Sequence, residues 1–201
     1  MSVLHAPLLG SLPAQALPGA WARMKQALGG LAQTQAPILL VGGSRDDCAA
    51  AARLIHTQSQ RADLPFVLAR CGLYRGAILE RRFFGGCSSH RRAHVRLQED
   101  EAGHLQKADG GTLYIEQIQH ATPLMQDRLL RVLQGRAFVN PLTQEGCELN
   151  VRVVAMASVD VEACVKAGRM LPELAELLAL NTVEVPRNLV PAAQSHWAVA
   201  V

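Results

Sequence analysis

At 201 residues with 49% hydrophobic side chains, the chain is long enough for one domain with a substantial core and short appendages. Its 20 basic and 17 acidic residues give a formal charge of +3, too balanced for net charge alone to indicate a nucleic-acid or membrane surface. Five cysteines, at 48, 71, 87, 147 and 164, are odd in number and form no C-x-x-C pair, which excludes a disulfide scaffold and points to a reducing, cytoplasmic compartment.

In chain order, residues 1–35 read as a leader, extended at first and then helical over about 18–28, where Gly29 and Gly30 end the helix. The leader lacks the basic start of a signal peptide, and no apolar run reaches the roughly 20 residues of a membrane span. Ile38, Leu39, Leu40 and Val41 form a continuous apolar run followed by Gly42 and Gly43, the pattern of a buried parallel strand entering a turn. A helix over 48–59 follows, with Ala51, Leu54 and Ile55 on one face, then a strand over 65–69 and a short helix over 77–84. Residues 85–100 have scarcely any apolar periodicity, a length that marks a functional or mobile loop. Beyond it come a strand at 112–115, an amphipathic helix at 123–134 with Leu124, Leu129, Leu130 and Leu133 facing inward, and a strand at 151–157, apolar except for Arg152. Strands alternating with helices predict an α/β, three-layer domain built on a parallel sheet with flanking helices.

In such a sheet the turn after the first strand is the place for phosphate, because amides at the following helix N-terminus point at an anion. A P-loop there reads G-x-x-x-x-G-K-[ST]. Here the frame is Gly42, Gly43, Ser44, Arg45, Asp46, Asp47, Cys48, Ala49. The first glycine stands, but the second is Asp47, the lysine is Cys48 and the magnesium-binding hydroxyl is Ala49. Two carboxylates replace space meant for phosphate oxygens, and a like-charge pair at about 4 Å costs on the order of 1 to 4 kcal/mol. The plainer reading is a helix from Cys48 capped by Asp46 or Asp47.

The blocks Pro37 to Gly42, Arg61-Ala62-Asp63, Phe84-Gly85, Lys107-Ala108-Asp109-Gly110-Gly111-Thr112-Leu113, Leu129-Leu130-Arg131-Val132-Leu133-Gln134 and Val151-Arg152-Val153-Val154-Ala155 resemble, in order, the central AAA+ domain of the sigma-54-dependent transcriptional activators. The similarity spans about residues 36–186. It implies a P-loop-type AAA+ domain over 36–187 and a tail over 188–201, with the family's lid subdomain and DNA-binding helix-turn-helix absent. It also shows departures. The family's Walker A is G-E-S-G-T-G-K-E. Its Walker B ends D-E, and Glu116-Gln117 stands there, so an amide replaces the carboxylate that activates water. The G-A-F-T-G-A loop aligns with Ser89-His90-Arg91-Arg92-Ala93-His94, the sensor Thr-Asn with Ala157-Ser158, and the arginines of G-R-F-R-E-D-L-Y-Y-R-L with Leu171 and Leu177.

The resemblance with these losses implies a catalytically inactive pseudo-ATPase in transcription regulation, acting through a protein partner: an active AAA+ activator or the sigma-54 polymerase machinery. No catalytic residue, metal or ATP/Mg cofactor is expected, and Gly42, Gly43, Ser44 and Glu116 are vestiges of the nucleotide site. The alternatives are a residual ATP-binding switch without hydrolysis, resting on those same residues, and a non-functional remnant of a longer activator. Cys87, His90, His94 and His104 match no zinc module and read as a solvated loop. Arg81, Arg82, Arg91, Arg92 and Arg96 gather positive charge without interleaved aromatics, which reads first as a solvated face and, as a contact, suits protein better than nucleic acid.

Overall fold

The computed structural model describes residues 18–85, 102–136, 138–139 and 146–189. Five parallel strands lie in the order β2-β3-β6-β1-β7: β1 is Ile38–Gly42, β2 Phe66–Arg70, β3 Thr112–Glu116, β6 Arg152–Met156 and β7 Thr182–Val185. A separate two-stranded antiparallel pair joins β4 (Phe138–Val139) to β5 (Gly146–Cys147). The three central strands are buried on both faces because helices cover both, and alternate residues divide between two cores. Ile38, Leu40, Tyr114, Val154 and Met156 face α1 (Pro18–Ala32) and α2 (Arg45–Thr57). Leu39, Leu113, Ile115, Val153 and Ala155 face α3 (Gly76–Phe84), α4 (His104–Lys107), α5 (Pro123–Leu133), α6 (Val161–Lys166) and α7 (Pro172–Ala179). This is the predicted three-layer α/β architecture.

Three local expectations are corrected. Helix α1 does not stop at Gly29 and Gly30 but runs to Ala32. Its Met24 and Leu28 pack on α2, and the guanidinium of Arg152 donates at 2.7 Å to the carbonyls of both Leu31 and Ala32, so tertiary contacts override the two glycines. Helix α2 begins at Arg45, three residues before the predicted start. In α5 Leu129 is buried and Leu133 packs against the core as expected, joined there by Met125 and Val132, but Leu124 is 41% exposed. The Thr122 hydroxyl caps that helix at Met125 N and Pro123 opens it, which sets the helical phase.

Buried arginines close the amino-terminal edge of the sheet. Arg61 donates to the carbonyls of Gly110, Gly111 and Asn150 at 2.8, 2.9 and 2.6 Å, and its Nε to Gln35 at 2.9 Å. A Cβ on Gly111 would collide with the Pro65 carbonyl, so glycine is required for this close approach. Among the described residues no helix is long and apolar enough to cross a membrane.

Candidate functional site

The turn after β1 lies at the carboxyl end of the sheet. Gly42 has φ +86°, and a Cβ there would lie 2.8 Å from the Val185 carbonyl, so the turn needs glycine. Gly43 N donates to that carbonyl at 2.8 Å, tying the turn to edge strand β7. The chain then enters α2 through Ser44, whose φ of −72° and ψ of 170° are those of a helix N-cap. The Ser44 hydroxyl accepts from Asp47 N at 3.1 Å, and Asp47 Oδ2 accepts from Ser44 N at 2.9 Å and from Ser44 Oγ at 2.7 Å. These contacts form a reciprocal capping box. The cap is therefore Ser44, not Asp46 or Asp47 as the sequence suggested, and Asp47 folds back over the turn with 1% of its surface exposed.

Cys48, at the lysine position of the P-loop frame, is fully buried in the α2-side core. Burial, reinforced by the nearby Asp47 and Glu116 carboxylates, pushes its thiol up to about 12, so it stays protonated. Arg45 instead points across the sheet end. Its Nε lies 3.9 Å from Glu116 Oε2, while Arg70 Nε approaches the same oxygen to 3.4 Å. Glu116 ends β3 and is 3% exposed; burial raises its pKa above the ordinary carboxylate value, and Arg70 and Arg45 oppose that rise.

The next residue, Gln117, has a left-handed backbone with φ +56°, and its side-chain oxygen lies over Gly72, where a Cβ would collide with it. On the neighbouring strand end, Gln119 Nε2 donates to Ser158 Oγ at 2.5 Å. Beside Gly42 and Ser158 opens a cleft of about 920 Å³, floored by Leu39, Val41 and Ala157, walled by α6 and α7, and reached by Arg187.

The structure thus brings Gly42, Gly43, Ser44 and Glu116 to one end of the sheet, with Arg45 spanning the gap to Glu116. Leu171 and Leu177 are half-buried on and beside α7, and Leu171 N donates to Gln126 Oε1 at 2.7 Å. Cys87, His90, Arg91, Arg92, His94 and Arg96 lie outside the described residues, and among the described ones no group of acidic, His and Cys side chains is arranged to hold a metal. Sequence reasoning missed Gln119 and the buried Gln126, which also donates to the Arg169 carbonyl at 2.9 Å. A polar residue standing within an apolar stripe was the available signal for Gln126.

The Sigma-54 interaction domain family matches residues 18–185. Response regulator protein PilR of Pseudomonas aeruginosa is 33% identical over 164 residues, which are 81% of this chain and 36% of PilR. The hydrogenase transcriptional regulatory protein HoxA of Bradyrhizobium diazoefficiens is 37% identical over 150 residues, 74% of this chain and 30% of HoxA. The chain therefore spans well under half the length of these curated relatives. Among solved structures, NtrX from Brucella abortus in complex with ADP superposes with a TM-score of 0.72 at 26% identity, over 88% of this chain and 38% of NtrX. The P-loop NTPase domain of a sigma-54 transport activator from E. coli shares the fold, with a TM-score of 0.56 at 16% identity, over 82% of this chain and 93% of that one. The parallel sheet, its glycine turn at the end of β1 and this match across nearly all of the described residues make the chain a member of the sigma-54 interaction domain family, related to the sigma-54-dependent transcriptional activators.

Proposed function

We propose that this chain is a regulatory pseudo-ATPase, a sigma-54 interaction domain that does not use ATP and acts by contacting protein: an active AAA+ activator or the sigma-54 polymerase machinery. The observation that carries this reading is the Asp47 carboxylate, seated on the Ser44 amide and hydroxyl at 2.9 and 2.7 Å. Donors at this turn are what a phosphate-binding loop aims at its anion, and here an internal anion already engages them. A triphosphate oxygen brought within about 4 Å of that carboxylate adds a repulsion on the order of 1 to 4 kcal/mol.

Other residues agree. Buried Cys48 offers no cation, Glu116 already has the charges of Arg70 and Arg45 beside it, which oppose a divalent ion there, and the Gln117 amide cannot accept a proton from water. The residues present do not fit ATP with magnesium. A second reading, a nucleotide held without turnover, has one observation in its favour, the cleft beside Gly42 and Ser158.

Titration with a fluorescent ATP analogue and magnesium separates the two. The pseudo-ATPase reading expects no saturation up to millimolar nucleotide and no phosphate release. Saturable binding at micromolar concentration overturns it in favour of the switch. The protein-contact half is tested by affinity capture from the host: an active sigma-54 activator is expected, with its ATPase rate lowered by added chain, and capture of no activator or polymerase component rejects that half.

A further inference from the structure

Helix α3 divides its residues sharply between two sides. Leu79, Phe83 and Phe84 are buried in the core, while Ile78, Arg81 and Arg82, at i, i+3 and i+4, share the opposite, exposed face. Ile78 is 61% exposed and Leu73, in the turn leading to the helix, 58%. Exposed Arg75 at the N-cap makes no side-chain cap bond, and the first turn holds no acid. The one acid of the helix, Glu80, is turned away to accept from the Thr122 hydroxyl at 2.6 Å. The Arg82 guanidinium lies 5.0 Å from the centre of the Tyr74 ring, which holds that charge in place at the margin of the patch.

Among the described residues, α3 and the turn before it thus combine two large aliphatic side chains in water with three exposed arginines and no exposed carboxylate. Building on the reading that the chain works through protein contacts, we propose that the α3 face docks an acidic amphipathic segment of a partner protein. Its carboxylates meet Arg75, Arg81 and Arg82, and its apolar side chains cover Ile78 and Leu73. Arginine suits this role because its planar fork takes carboxylates in pairs. Nucleic acid fits less well: a phosphate backbone would leave Ile78 and Leu73 uncovered, and the Tyr74 face that a base would stack on already carries Arg82.

The test uses the full chain and a fluorescein-labelled amphipathic peptide of Glu and Leu, with its Lys and Leu counterpart and a mixed-sequence DNA duplex alongside. Fluorescence anisotropy is expected to show saturable binding of the acidic peptide alone, with slowed amide exchange confined to α3 and the turn before it. Arg81→Glu with Arg82→Glu is expected to weaken binding at least about 10-fold, and Ile78→Asp about 10-fold, with unchanged melting temperatures. If the double variant melts early, Arg81→Glu alone serves, with a loss of about 3-fold. Binding that Ile78→Asp leaves intact, tighter binding of DNA, protection away from α3, or no binding of the acidic peptide each overturns the proposal. None of these outcomes bears on ATP, so the nucleotide titration fails or stands independently.

Discussion

The two ends of the parallel sheet treat their polar side chains in opposite ways. At the amino end, Arg61 and Arg152 reach far along the chain, binding carbonyls 49 to 89 and 120 to 121 residues away and stapling loops and α1 to the sheet. At the carboxyl end, the side-chain hydrogen bonds of the capping turn between β1 and α2 run between Ser44 and Asp47, three residues apart, although Gly43 N ties the backbone of that turn to the Val185 carbonyl. Long-range bonds to buried carbonyls make the amino end a matter of stability. Short-range side-chain bonds make the Ser44 cap a matter of local geometry, which substitution can alter without unfolding the sheet.

The largest effect that would bear out this contrast belongs to Arg61→Ala. It removes a charged donor shared by the carbonyls of Gly110, Gly111 and Asn150, of which the last two keep the backbone donors Arg152 N and Gly110 N, and it frees the Gln35 side chain; a loss of about 3 kcal/mol is expected. Urea denaturation followed by circular dichroism measures it; a loss below about 1 kcal/mol would show that the junction is not a staple. Arg152→Met is expected to cost about 2 kcal/mol, because two helix-end carbonyls lose charged donors. Its signature is selective: amide exchange in α1 should accelerate far more than in β1 or β3. Uniform acceleration would mean that Arg152 supports the sheet and not the helix.

The layered fold was legible in the sequence because strands buried on both faces read as continuous apolar runs, as in Ile38 to Val41 and Leu113 to Ile115. The glycine turn after the first strand was legible for the same reason, since it ends such a run. The true start of α2 was not. Asp46, Asp47 and Ser44 are all good caps, and only the path of the turn, set by Gly43 bonding to Val185 some 140 residues later, selects Ser44. The roles of Arg61 and Arg152 were hidden too: Arg152 stood out merely as the one charge in an apolar strand, and its partners in α1 are remote in sequence.

At the carboxyl end, Asp47→Ala is expected to cost only about 1 kcal/mol, the usual value of a lost capping interaction, with the rest of the domain unmoved. A loss like that of Arg61→Ala would erase the distinction between the two ends. The same variant also probes the pseudo-ATPase proposal. With Cys48 and Gln117 unchanged, removing the internal carboxylate is expected to leave ATP hydrolysis undetectable, and turnover by Asp47→Ala would reject the claim that several residues, rather than one plug, keep the site silent.

The finest discrimination between the ends is the sign of their response to pH. His56 is buried near the amino end, with Nδ1 3.0 Å from the Thr112 hydroxyl oxygen, and burial together with Arg53 holds its pKa below the ordinary 6.5. As pH falls below 6.5 the unfolded chain therefore takes up the proton first, so this stabilising contribution is complete above 6.5 and lost on acidification. Glu116 at the carboxyl end behaves oppositely. Its pKa is raised above the ordinary 4.5 by burial, so the folded chain takes up the proton first and acidification toward 4.5 relieves a penalty present at neutral pH. Denaturation curves of His56→Gln and Glu116→Gln at pH 7 and pH 5 read the two signs separately. Relative to the parent chain, both variants carry a formerly titrating site without its charge. His56→Gln should therefore gain on the parent at pH 5, and Glu116→Gln should gain on it at pH 7. Shifts of the same sign for both would show that the Arg70 and Arg45 contacts outweigh burial at Glu116, making the carboxyl end as electrostatically settled as the amino end.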